Sequence, residues 1–189
     1  MFLQLLQKNI PDYTNSLKNI KCRNIRKHRH LERFDKMIKI MFVCHGNICR
    51  STMAEFVMAD MAKKAGFEVM VDSSATSREE IGNGVHHGTL RKLREVGVPV
   101  YPHYAKQLTK ADYKNFDYII GMDSMNMRNI TRIVGEDRDN KVYMLLDFTK
   151  RKGQSIADPW YTGNFDVTYD DIKEGCEGLL AYLQANKKG

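Results

Sequence analysis

The stretch Cys44-His45-Gly46-Asn47-Ile48-Cys49-Arg50-Ser51 puts a thiol, a run of backbone amides and a guanidinium into one short turn. Those are the parts needed to attack phosphorus: a sulfur nucleophile, and N–H donors with a forked cation for the oxygens. Arg50 can hold two phosphate oxygens at once, which a lysine cannot. A helix beginning at the end of the turn would add unpaired N–H groups and the positive end of its dipole, both favourable to an anion. Gly46 is read as the residue that takes a positive φ and curls the amides inward. Ser51 is read as the helix N-cap, its hydroxyl also within reach of the Cys44 sulfur. A thiol so placed should ionise well below its free value of about 8.5. It could then attack in line and form a phosphocysteine. Cys-x5-Arg by itself is a loose pattern, in which Cys44 could equally be a buried strand end and Arg50 a surface charge.

Expelling an alkoxide or phenoxide benefits from a general acid, worth about 10²- to 10⁴-fold. Asp158-Pro159-Trp160-Tyr161 is the candidate. Pro159 stiffens the turn after Asp158, and Trp160 and Tyr161 offer flat faces for an aryl ester. Thiolate charge and partial burial would help keep Asp158 protonated. Alone, the same residues could be a turn-capping Asp-Pro with Trp160 as a core plug. No metal site is expected. Cys44 and Cys49 are five apart, against the about two to four residues of a zinc knuckle, and no second pair follows. His28/His30 and His86/His87 read as solvated pairs.

The elements that must position these groups follow from periodicity. Lys39–Cys44 is strand-like and runs straight into the turn. Ser51–Ala65 reads as a helix, with Met53, Ala54, Val57, Met58, Met61 and Ala62 on one face and Gly66 as its stop. Strands are expected at Phe67–Ser73, Tyr118–Met122 and Val142–Leu146. Helices are expected at Val85–Val96, Thr109–Asn115, Ser124–Val134 and Thr168–Ala185, the last with Thr168 and Asp171 as a capping box. Alternating strands and helices imply an α/β fold: a four-stranded parallel sheet with helices on both faces. Ligands in such folds sit outside the carboxyl ends of the strands. Cys44–Arg50, Met122–Asn126 and Asp158–Tyr161 all follow strands in that sense.

The chain has 189 residues and a net charge of +7. Residues 1–36 hold nine Lys/Arg and three Asp/Glu, a balance of +6, and residues 37–189 hold 21 and 20, a balance of +1. The basicity thus belongs to an N-terminal extension, 1–36, and the domain, 37–189, has no charge surplus for a nucleic-acid groove. The extension could be a basic arm for nucleic acid or an anionic membrane, but is read in preference as a solvated or disordered arm, or as lying ahead of a true start at Met37. No apolar run approaches the roughly 20 residues of a membrane span, and Met1–Leu6 is too brief for a secretory signal. Reduced thiols in the cytoplasm are therefore expected for the four cysteines. No membrane or nucleic-acid partner is expected, and the chain should be a monomer, at most a weak dimer.

Taken together, the sequence resembles the low-molecular-weight protein tyrosine phosphatases. The resemblance rests on Val43 through Ser51, Met53-Ala54-Glu55, Val71-Asp72-Ser73 with Ala75-Thr76-Ser77, and Ala105 through Thr109. Phe116 through Ile120, Met122-Asp123 with Asn126, and Asp158-Pro159 complete it. It implies no metal or cofactor, and a cysteinyl-phosphate intermediate hydrolysed by water. Cys44 would be the nucleophile, Arg50 the clamp, and Asp158 the acid and then the base. His45, Gly46, Asn47, Ile48, Cys49, Ser51, Trp160 and Tyr161 would bind substrate. Asn47, Ser51, Ser73 and His103 would form a supporting network, with Asn47 left-handed.

The implied substrates are phosphotyrosine proteins, tyrosine kinases among them. His45 stands where the family commonly has a hydrophobic residue, Thr52 where it has proline, and Trp160 where it has tyrosine. Ile48 is bulky where phosphoarginine phosphatases of the family are small, which favours phosphotyrosine. Arsenate reduction on the same fold would need a cysteine relay, for which Cys176 is the only other cysteine within the domain. Cys49 could act as a resolving thiol for an oxidised Cys44, or be inert. A non-catalytic phosphate-binding module would have lost Cys44, Arg50 or Asp158, and none is lost.

Overall fold

The computed structural model of the chain describes residues 37–187; the N-terminal extension expected from the sequence lies outside them. Four strands, β1 (Ile38–Cys44), β2 (Val69–Ala75), β3 (Tyr118–Gly121) and β4 (Val142–Met144), form one all-parallel sheet in the order β2-β1-β3-β4. Six α-helices accompany them: α1 (Arg50–Lys64), α2 (His87–Glu95), α3 (Lys110–Asn115), α4 (Ser124–Val134), α5 (Pro159–Thr162) and α6 (Phe165–Lys187).

Helices cover both faces, as expected, and the strand residues divide between two cores. Ile40, Phe42 and Ile120 face one core, which they share with Met53, Phe56 and Val57 of α1 and Ile172, Leu179 and Leu183 of α6. Met41, Val43 and Ile119 face the other, with Phe116 and Ile130 beside α3 and α4. This two-residue alternation is what a strand buried on both sides requires. The strand order reverses direction between β1 and β3, so a crevice opens at their carboxyl ends. Cys44 ends β1 and Asp123 follows β3 at that crevice.

Several boundaries move from the sequence reading. β2 runs on to Ala75 because it pairs with β1 along its full length, Cys44 opposite Ala75. β4 stops at Met144, where Leu145–Phe148 tighten into a 3₁₀ turn. α2 starts only at His87, capped by His86. The capping box proposed at Thr168 is absent. α6 begins three residues earlier, Asn164 Oδ1 accepts the Val167 N–H, Thr168 Oγ1 donates to the carbonyls of Ala157 and Asn164, and Asp171 pairs with Arg151. Thr109 does cap α3, in a reciprocal capping box with Asp112.

The helix α6 lies against the 3₁₀ turn at very short range. A Cβ on Gly178 would come 2.3 Å from the Phe148 carbonyl oxygen. Alanine is the better helix former by about 1 kcal/mol, but backbone cannot yield as a side-chain tip can. We expect Gly178→Ala to lower stability by about 1–3 kcal/mol in urea titration, against the propensity trend.

Candidate active site

The Cys44 loop is shaped by where its carbonyls go. The carbonyl of Cys44 accepts from Thr76 N–H at 2.8 Å, that of His45 from Ser77 at 2.9 Å, and that of Ile48 from His86 at 2.8 Å. The Cys49 carbonyl accepts from Met53 N–H at 3.0 Å and from the Thr52 hydroxyl at 2.9 Å. With these carbonyls held from outside, the amide edge of the turn faces its own centre, as in an anion-binding nest. Cys44 lies there, 3% exposed. Its Sγ accepts the Asn47 N–H at 3.2 Å and stands 3.1 Å from Ser51 Oγ.

Two details differ from the sequence reading. Gly46 does not take a positive φ; Asn47 does, at φ 61°, as the family resemblance implied. A Cβ on Gly46 would lie 3.1 Å from Glu80 Cγ, a side chain that could yield by a few tenths of an ångström. Ser51 is the second residue of α1 rather than its cap; the cap position falls on Cys49, without a side-chain bond. The hydroxyl is free of that duty and turns to the sulfur.

Arg50 opens α1 and is 2% exposed. Its Nη1 donates to Asp123 Oδ2 at 2.6 Å and to the Ile156 carbonyl at 3.2 Å, and its Nη2 donates to Asp158 Oδ2 at 2.5 Å. Its Nε has no hydrogen-bond partner among the described residues. Burial would make the guanidinium easier to deprotonate, but Cys44, Asp158 and Asp123 together hold its pKa above the usual value. Asp158 caps α5: its Oδ1 accepts the Trp160 N–H at 3.1 Å, and Pro159 fills the first helical position. The Ile156 N–H donates to the Met122 carbonyl at 2.8 Å, which fastens this segment to the end of β3. Trp160 is 59% exposed and Tyr161 83%, so Trp160 is not a core plug. At the rim, His45 Nε2 lies 3.0 Å from Glu79 Oε2.

Behind the loop, Asn47 is the hub of a buried network. Its Nδ2 donates to Ser51 Oγ at 3.0 Å and Ser73 Oγ at 2.8 Å. Its Oδ1 accepts the Lys106 N–H at 3.1 Å and faces His103 Nε2 at 3.2 Å. His103 Nδ1 lies 3.3 Å from Glu55 Oε2. The two ring nitrogens of His103 thus face Asn47 Oδ1 on one side and the Glu55 carboxylate on the other. Glu55 also accepts from Ser73 Oγ and Tyr101 OH, each at 2.6 Å. Burial raises its pKa, but the bonds from His103, Ser73 and Tyr101 outweigh that and leave it below the usual carboxylate range.

The profile of the low molecular weight phosphotyrosine protein phosphatases matches residues 39–189. The low molecular weight protein-tyrosine-phosphatase YfkJ of Bacillus subtilis is 40% identical over 155 residues, covering 80% of this chain and 99% of that protein. PtpA of Staphylococcus epidermidis is 35% identical over 148 residues, covering 78% and 94%. The crystal structure of YfkJ superposes with a TM-score of 0.77, covering 80% of this chain and 97% of that one. The chain belongs to the low molecular weight phosphotyrosine protein phosphatase family.

Within this phosphatase the structure gathers every residue singled out in the loop, with Arg50, Asp158, Ser73 and His103. It adds Glu55, Tyr101 and Asp123, which sequence reasoning had matched or passed over without giving them roles. Glu55 left a trace, a carboxylate within the best-packed helix, and so did Asp123, an acid directly after a strand at the sheet's switch point. Burial pushes the Cys49 thiol up to about 12, with Cys44 and Asp158 adding to it. That works against Cys49 as an attacking thiolate. Cys176 is fully buried on α6, its Sγ directed at the Ala54 carbonyl, and burial raises its pKa. It is poorly placed to relay a disulfide outward. Among the described residues no three His, Cys, Asp or Glu side chains are gathered as metal ligands would be.

Removing Glu55's charge takes away the carboxylate that His103, Ser73 and Tyr101 share. Glu55→Gln should cost about 3 kcal/mol at pH 6. Because its carboxyl is held below the unfolded value of about 4.3, its contribution is complete above that pH and is lost as pH falls toward the folded value. Urea midpoints should show the gap between wild type and Glu55→Gln narrowing from pH 6 to pH 3.

Proposed function

We propose that this phosphatase hydrolyses phosphotyrosine and related aryl phosphates in two displacements through a cysteinyl phosphate. The observation that carries the reading is Arg50, whose buried guanidinium links the Cys44 loop to the Asp158 carboxyl at 2.5 Å. The phosphate oxygens enter the nest of amides, and two of them take Nε and Nη2 of Arg50. Asp158 gives up Nη2 to the incoming phosphate, takes up a proton from solvent as it loses that cation, and is left beside the leaving oxygen. Cys44 Sγ attacks phosphorus, the P–O(aryl) bond breaks, and the Asp158 proton goes to the departing phenoxide. Asp158, now a carboxylate, takes a proton from water as that water attacks phosphorus. The S–P bond breaks, and inorganic phosphate and the Cys44 thiolate are released. Asp123 stays on Nη1 and keeps the guanidinium from following its ligand outward.

The exposed Trp160 and Tyr161 favour a flat ester. The bulky Ile48, held by its carbonyl to His86, favours phosphotyrosine over phosphoarginine. The chemistry needs a reduced Cys44, and the described cysteines are all free, in keeping with a cytoplasmic enzyme acting on phosphoproteins. No helix among the described residues is long and apolar enough to cross a membrane.

Hydrolysis of p-nitrophenyl phosphate should be abolished in Cys44→Ser. Asp158→Ala should lose about 10²-fold or more in kcat on esters of basic phenols, and much less on p-nitrophenol esters. Equal losses on good and poor leaving groups would remove Asp158 as the acid. A phosphotyrosine peptide should be cleaved in preference to a phosphoarginine peptide.

A further inference from the structure

His86, read from the sequence as half of a solvated pair, is half-buried at a junction of the site. Its backbone N–H donates to the Ile48 carbonyl of the phosphate loop at 2.8 Å. Its Nδ1 accepts the Gly88 N–H at 3.1 Å and caps α2. The ring stacks on Phe165 with centroids 5.3 Å apart and planes 8° from parallel. It meets Trp160 edge-on at 5.9 Å and 69°. The His87 ring stands 4.2 Å away.

The cluster is built closely. Phe165 is buried at the start of α6, and a Cβ on Gly88 would lie 2.3 Å from its ring. Phe165 therefore lies flat on the first turn of α2 only because residue 88 has no side chain. The stacked ring of His86 carries that fixed point outward to Trp160. Among the described residues, His86 is the one ring that packs against the exposed indole. The backbone N–H of Trp160 in turn donates to Asp158 Oδ1 at 3.1 Å.

We propose that His86 is a positioning residue for the reaction: its ring holds Trp160 as the wall against which an aryl ester lies, and so sets the preference for aryl over alkyl phosphates. This rests on reading the site as an aryl phosphatase. Because Nδ1 accepts the cap bond, the proton of the neutral ring is on Nε2. Burial first, then the like charges of His87 and Arg91, lower its pKa against an opposing pull from Glu80, so the neutral stacking form persists.

Trp160 is the single tryptophan of the chain, so tryptophan fluorescence, excited selectively over the tyrosines, reports on this wall alone. His86→Asn keeps a capping oxygen and removes the ring; His86→Phe keeps a ring and removes the cap. In His86→Asn, acrylamide quenching of Trp160 should rise clearly, and KM for p-nitrophenyl phosphate should rise about fivefold. The inhibition constant of inorganic phosphate and kcat/KM for a simple alkyl phosphate should stay within about twofold of wild type. His86→Phe should keep quenching and aryl KM near wild type even if its thermal midpoint falls. The proposal is overturned if aryl KM and phosphate inhibition worsen together in His86→Asn, if neither quenching nor aryl KM changes, or if His86→Phe loses the aryl preference equally. A wild type that prefers aryl esters beside a His86→Asn that still does so would sink this inference alone. A wild type without aryl phosphatase activity would sink the site reading and this inference with it.

Discussion

A guanidinium 2% exposed to solvent can persist only where anions repay its lost hydration. Around Arg50 those anions are Asp123 and Asp158, one on each terminal nitrogen, with the Cys44 loop on the near side. The constraint organises the catalytic end of the molecule. The end of β1, the end of β3 and the segment before α5 must converge there, or a buried charge goes unpaired. In the proposed mechanism the same contacts supply the chemistry, since the carboxyl that balances Arg50 is also the one a leaving oxygen needs.

The sheet makes this convergence possible. In the order β2-β1-β3-β4 the chain leaves β1 in one direction and β3 in the other, so their carboxyl ends flank an open crevice. The loop after β1 then has neighbours on several sides. Residues after β2 and at the start of α2 take its carbonyls, and the Asn47 network takes its rear. Holding the amides of a nest in place before an anion arrives is what makes such a site effective, because no reorganisation is left for the moment of reaction. The Glu55–His103 pair extends that support one layer deeper, and the His86–Phe165 stack does the same on the side of the aromatic wall.

Much of this was legible beforehand. The strand–turn–helix around Cys44, the helix starting at Thr109, the parallel sheet and the grouping of Cys44, Arg50 and Asp158 all follow from local pattern and residue chemistry. The errors lie where two local options were close in energy and a distant contact chose between them. Gly46 was the freer choice on local grounds, but the positive φ falls to Asn47 alone, as the resemblance implied, because its amide bridges Ser51, Ser73 and Lys106. Thr168 is a good cap residue, yet Phe165 packs into the core and begins α6 three residues earlier. β2 runs past Ser73 because Cys44 offers it a partner.

The amino-acid sequence by itself determined the reacting groups, their spacing in the loop and the period that folds strands and helices around them. These depend on interactions a few residues long. Only the tertiary structure decided which acid sits on which nitrogen of Arg50, from partners 73 and 108 residues away. It likewise decided that Glu55 is a buried, hydrogen-bonded carboxylate rather than a solvated helix charge, and that His86 is a packed ring rather than a surface one. Burial and partner choice are properties of the assembled core, because a group's charge state and contacts depend on what else is excluded from water beside it.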